Sequence, residues 1–127
     1  MKRVLAGWLL CAGLANAQGA AEAKVLLAEE VFKNIKTLKG VPAIGILGIM
    51  KIGYSKSLGV DCTYCHTPGQ WEKDDVPKKQ VAREMSLMMK GINTKYLKQI
   101  KNLDSKEPSV NCTTCHRGDT KPALDMP

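Results

Sequence analysis

GVDCTYCH at residues 59–66 and SVNCTTCH at residues 109–116 are the two segments on which the reading of this chain turns. They share Val, Cys, Thr, Cys and His at matching positions, and Asp61 stands where the second copy has Asn111. Together they hold both histidines of the 127-residue protein and four of its five cysteines. Random placement would rarely concentrate the metal-ligating side chains in this way.

The spacing C-x-x-C-H has a direct physical reading as a c-type haem attachment site. On one helical turn, cysteines three residues apart lie on the same side and can form thioethers to one edge of a porphyrin. The histidine that follows can swing beneath the ring and bind iron as the proximal ligand. Asp61 and Asn111, just before each first cysteine, are suited to cap these short helices. Cys62, Cys65, Cys112 and Cys115 are therefore the expected attachment residues, and His66 and His116 the expected iron ligands. Zinc sites use the same residue types but do not require a histidine directly after the second cysteine, twice over. A thioredoxin-like redox pair needs a βαβ context that this chain lacks, and structural disulfides leave the histidines unexplained.

Working outward, the N-terminus accounts for the fifth cysteine. Lys2 and Arg3 precede the apolar run VLAGWLLCAGLA, and Ala15-Asn16-Ala17 follows with small residues where a signal peptidase needs them. Residues 1–17 read as a cleaved export signal, with a retained membrane anchor as the alternative. The apolar run is short for a bilayer span, and Leu10 before Cys11 argues against a lipoprotein signal. Cleavage removes 17 of 127 residues, leaving 110 as one domain, and takes Cys11, Lys2 and Arg3 with it. The formal charge then falls from +7 to +5. A periplasmic or otherwise exported location follows, where free thiols do not normally persist.

Hydrophobic residues make up 44% of the chain, too many for a disordered tail, while aromatics at 5% leave only a modest protein-only core. The rest reads as an all-α domain. Residues 24–39 carry apolar residues at Leu27, Ala28, Val31, Phe32, Ile35 and Leu38, a helical stripe that Gly40 would end. Pro42 can open a second helix presenting Ala43, Leu47, Met50, Tyr54 and Leu58 along one side. Glycines at 45, 48 and 53 weaken that helix, and close approach of a flat ligand is one reason to keep them; a turn-rich stretch is the alternative. A third helix starts near Pro77, with Asp74 and Asp75 suited to its positive end. Its apolar side runs through Val81, Met85, Met88, Met89 and Ile92 and continues through Tyr96, Leu97 and Ile100, with or without a break at Asn93.

Each iron needs a sixth ligand or an open position. With no third histidine, methionine is the natural donor, and Met50, Met85, Met88 and Met89 stand on predicted helices, where core packing is the competing role for each. Met50-x11-Cys62, the motif CTYCH, the Arg83–Asn93 helix and VNCTTCHRGDTKP together resemble the photosynthetic reaction-centre cytochrome c subunit family, over roughly residues 30–122. The resemblance implies a small helical domain around covalently attached haems, with a methionine-bearing helix before each attachment motif. Met50 holds that position for the first haem. For the second, the family pattern Met-x-x-x-x-Asn falls on Met88 and Asn93, with Met85 in reserve. Family members of the reaction-centre type carry four haems in two pairs, so this chain looks like one pair. The other pair and the family's additional histidine ligand are missing, so direct service to a photosynthetic reaction centre is not implied.

Two haem c groups with His66/Met50 and His116/Met88 ligation imply a one-electron carrier and no enzyme. Filled axial positions leave no place for a substrate, and thioether ligation raises the potential. The alternative is a dihaem enzyme of peroxidase type, or a gas or redox sensor, with an open site on the second haem. Redox-protein donors and acceptors with acidic docking surfaces are the expected partners, nucleic acid is excluded by export, and no transmembrane segment is expected in the mature chain. Lys73, Lys78, Lys79, Lys90, Lys95, Lys98, Lys101 and Lys106 form either a basic rim that steers such partners or an ordinary solvated face. Trp71 either packs on a haem edge or closes its loop, and Arg117 either pairs with a haem propionate or faces solvent. Four ionised propionates would bring the mature charge to about +1.

Overall fold

A computed structural model describes residues 24–125. The export-signal reading and Met126 lie outside the described residues. Among the described residues there is no strand; only the isolated bridges Leu27–Pro42 and Thr67–Gln70 occur, and the domain is all-α as expected.

The first expected helix is the main departure. Only Ala28–Val31, α1, is helical; Phe32 turns extended at ψ 141° and Asn34 enters the left-handed region at φ 61°. The apolar stripe is overridden by polar side chains that offer the backbone other partners. The Asn34 side chain donates to the Glu72 carbonyl and, at 2.9 Å, to Asp74. The Asn34 carbonyl accepts from Arg83 at 3.4 Å, and the Gly40 N–H donates to the Glu29 carboxylate at 2.9 Å. Gly40 is left-handed, at φ 79°, but it closes this loop and does not cap a helix.

Pro42 does open a helix. α2 spans residues 43–58, with 3-10 winding over Ala43–Gly45, α over Ile46–Gly48 and π over Ile49–Lys56. The changing pitch corrects the expected inward face. Ile46 is buried, whereas Leu47 is 63% exposed. The tight first turn advances each residue further around the axis and sends Leu47 outward. The wide π turns bring Met50, Tyr54 and Ser57 back to the inner side, where Ser57 is buried.

α3 spans residues 77–99: α over Pro77–Gly91, π over Ile92–Tyr96 and 3-10 over Leu97–Gln99. It passes Asn93 without a break. Pro77 stands at the first turn, where its missing N–H costs nothing. Asp74 and Asp75 do not sit at the helix end as expected, since Val76 is the cap residue. Asp74 reaches across to Lys36 at 2.8 Å, Arg83 at 2.9 Å and Lys79 at 3.3 Å, and Asp75 accepts from Thr67 at 2.8 Å. α4 is Cys112–His116, the second motif itself.

The buried set is small and unusual. Among the described residues, Ala28 and Ile46 are the buried hydrophobics, and Ser57, Lys79 and Arg83 are the buried polar ones. Val81, Met85 and Met88 on α3 are about half exposed, because their side of the helix borders an open cleft in place of another protein layer. No helix among the described residues is long and apolar enough to cross a membrane.

Candidate functional site

Both motifs are built as capped turns. Asp61 accepts the Thr63 N–H at 2.8 Å, and Cys62–Tyr64 winds as a 3-10 turn. Asn111 accepts the Thr114 N–H at 3.1 Å, while the Thr114 hydroxyl accepts the Asn111 N–H at 3.0 Å. The predicted caps are therefore in place, although only the second motif is a full α turn. Arg117 leaves it in the left-handed conformation, at φ 53°, and is exposed.

The two histidines share one geometry. His66 Nδ1 lies 3.0 Å from the Trp71 carbonyl and His116 Nδ1 lies 3.0 Å from the Asp119 carbonyl. A carbonyl oxygen only accepts, so Nδ1 carries the proton in each ring and Nε2 keeps a free lone pair. This is the arrangement by which a protein orients a metal-binding imidazole and raises its basicity.

Each histidine opens into its own cleft. The first brings His66 and Cys65 together with Met50, Tyr54, Trp71 and Leu38. The second, strongly apolar, gathers Cys112, Cys115 and His116 with Met85, Met88 and Met89 of α3. Cys62 is exposed at the edge of its motif. Tyr54, Cys65 and Ala82 border both clefts, so the two sites share a wall. The Tyr54 hydroxyl donates to Ser86 at 3.1 Å within that wall, and burial pushes the tyrosine up from its ordinary value. Burial likewise raises the Cys65 and Cys112 thiols.

Residue types and geometry fit two flat, apolar, carboxylate-bearing rings. Each cleft joins an imidazole with a bare Nε2 to a thioether-bearing helix, and the cysteines flank the same histidine. A zinc cluster fits less well: among the described residues no three of His, Cys, Asp and Glu converge on a point.

Several functional contacts lay outside sequence reasoning. Ser57 ties the end of α2 to the second motif: its carbonyl accepts the Gly118 N–H at 2.8 Å and its hydroxyl lies 2.7 Å from that of Thr113. Gly59 packs so closely that an added Cβ would lie 2.1 Å from the Gly118 carbonyl oxygen. Asn93, read only as a pattern marker, forms a reciprocal pair with the Val110 backbone, donating at 2.8 Å and accepting at 2.8 Å. It thereby pins the second motif against the methionine-bearing helix. Lys79, counted with a possible solvent rim, is instead buried beside Trp71, and Lys73, Lys78 and Lys90 are exposed. Trp71 closes the loop after His66, its ring edge-on to the imidazole at 5.8 Å. The only advance signal for Lys79 was its place two residues inside a helix that starts at Pro77.

Residues 12–124 match the family model described as photosynthetic reaction centre cytochrome C subunit. The chain is 32% identical over 97 residues to the photosynthetic reaction center cytochrome c subunit of Thermochromatium tepidum, covering 75% of this chain and 22% of that protein. It is 31% identical over 83 residues to cytochrome c-554 of Chloroflexus aurantiacus, covering 65% of this chain and 20% of that one. The subunit of Roseobacter denitrificans is 38% identical over 65 residues, 49% of this chain and 17% of that protein. The chain thus spans about a fifth of the length of these relatives.

Proposed function

From the premise that this chain belongs to the photosynthetic reaction-centre cytochrome c subunit family, we propose that it is a dihaem c-type cytochrome carrying single electrons outside the cytoplasm. Cys62 and Cys65 hold one haem and Cys112 and Cys115 the other. His66 with Met50, and His116 with Met88, would supply the iron ligands. The observation that carries this reading is the repeated pairing, in adjoining clefts, of a histidine whose Nδ1 proton is held by a backbone carbonyl with a methionine-bearing helix.

When bound, haem iron would supply a reversible one-electron couple between a donor protein and an acceptor. The chain's residues do the rest. His66 with Met50, and His116 with Met88, would hold the iron at each centre and leave no position for a substrate. The apolar residues of α2 and α3 that border the clefts would pack against the ring. Tyr54, Cys65 and Ala82, common to both clefts, keep the path between the two centres short. Exposed lysines on α3 and after the first motif present positive charge to redox partners with acidic docking surfaces. The signal read in residues 1–17 carries the chain out of the cytoplasm.

Mass and visible spectrum of the mature holoprotein test this directly. Two covalent haems, both low-spin with the far-red sulfur-to-iron band, are expected. Met50→Ala and Met88→Ala should each abolish that band at one centre only. A high-spin centre that binds carbon monoxide in the parent protein would overturn the carrier reading in favour of an enzyme or sensor.

A further inference from the structure

The two histidines differ in what else their acceptor carbonyls hold. The Trp71 carbonyl, 3.0 Å from His66 Nδ1, also accepts from the Lys79 ammonium at 2.8 Å. Lys79 is buried at 9% exposure, its ammonium donating to the Trp71 and Lys73 carbonyls with the Asp74 carboxylate 3.3 Å away. Asp74 does not cancel this charge, because it is shared with Arg83 at 2.9 Å and Lys36 at 2.8 Å, three cations on one anion. The Asp119 carbonyl that holds His116 receives no side-chain cation among the described residues, and its own residue bears a carboxylate.

We propose that Lys79 is a positioning residue that raises the reduction potential of the first centre, making it the higher-potential of the two. The proposal rests on the reading of His66 as an iron ligand. A histidine N–H bound to a strong acceptor gives the ring more electron density and favours oxidised iron. A carbonyl already engaged by an ammonium is a poorer acceptor, since the charge-assisted bond draws on the same oxygen lone pairs. His66 is therefore a weaker donor than His116. The buried positive charge acts in the same direction, because a cation held in a low-dielectric site disfavours the extra charge on oxidised iron. Electrons consequently rest on the centre held by His66.

Redox titration of the holoprotein tests this, with Met50→His used to identify which of the two potentials belongs to the first centre. Lys79→Gln keeps a donor but removes the charge, and should shift that centre's equilibrium toward the oxidised form by about tenfold, equivalent to about 59 mV for one electron. Lys79→Arg should stay within about twofold of the parent. The other centre should not move. In Lys79→Met, exchange of the His66 Nδ1 proton, followed by NMR, should slow as the carbonyl is returned to the histidine alone; a merely loosened loop would make it faster. Two haems present, Met50→His moving one potential, and Lys79→Gln moving neither would overturn the tuning role alone. Fewer than two haems, or Met50→His moving no potential, would overturn the ligation reading and this proposal with it.

Discussion

Asp74 is exposed enough to meet water, yet hydrogen bonds from Lys36, Asn34, Arg83 and Lys79 hold its carboxyl well below the ordinary value of 3.8. A group depressed in the folded state binds protons more readily in the unfolded one. Its contribution is therefore fully present above 3.8 and is lost as the pH falls below that value. Asp74→Asn should lower thermal stability at neutral pH and flatten the acid limb of a Tm-against-pH profile. An unchanged acid limb would mean that other carboxylates set it. Asn93 makes a second residue-scale case. Asn93→Ala removes both hydrogen bonds to the Val110 backbone and leaves those groups part-buried. A loss of about 1–3 kcal/mol in denaturant unfolding is expected. Neither role shows in a motif, because each depends on a partner distant along the chain.

At the scale of elements, the close pass between the two motifs controls how they sit together. Gly59 has φ 66°, and a Cβ there would meet the Gly118 carbonyl oxygen at 2.1 Å. Gly59→Ala should therefore cost more than about 2 kcal/mol, combining left-handed strain with a backbone displacement. The same change should broaden or shift the spectra of both centres, since Gly59 of the first motif packs on Gly118, which Ser57 of α2 holds together with Thr113. The winding of α2 belongs here as well. Apolar spacing at uniform pitch predicted Leu47 inward, and it failed there because the pitch opens from 3-10 to π along the helix. Met50 and Tyr54 nonetheless face the clefts as the spacing implied. On α3 all three of Met85, Met88 and Met89 border the second cleft. Met88→Ala, and not Met85→Ala, is expected to remove the second sulfur-to-iron band.

Taken whole, the described chain has little hydrophobic interior of its own, with Ala28 and Ile46 as its buried apolar residues. The sparse aromatic content foreshadowed this. Two covalently held rings would supply the missing apolar core and bridge α2, α3 and the second motif. Replacing Cys112 and Cys115 with Ala should remove one haem by mass and cost far more than two surface substitutions. Circular dichroism should show a broader, lower-temperature transition. A cooperative melt unchanged from the parent would show that the protein layers pack without that group.

Much of this molecule was decided locally. The two motifs are repeats of a few consecutive residues, so their capping residues Asp61 and Asn111 were legible from the linear chain. The all-α class was legible too, because helical periodicity and the absence of alternating strands are short-range signals. What required the tertiary structure were the features set by contacts between distant segments. The loop at 32–41 unwinds because Asn34 bonds to residues 72–74 and Arg83. Lys79 is buried because residues 71–74, between the first motif and α3, offer it two carbonyls and a carboxylate. The two histidines look equivalent in sequence, and only folding made them unequal, by giving one carbonyl acceptor a cation to share.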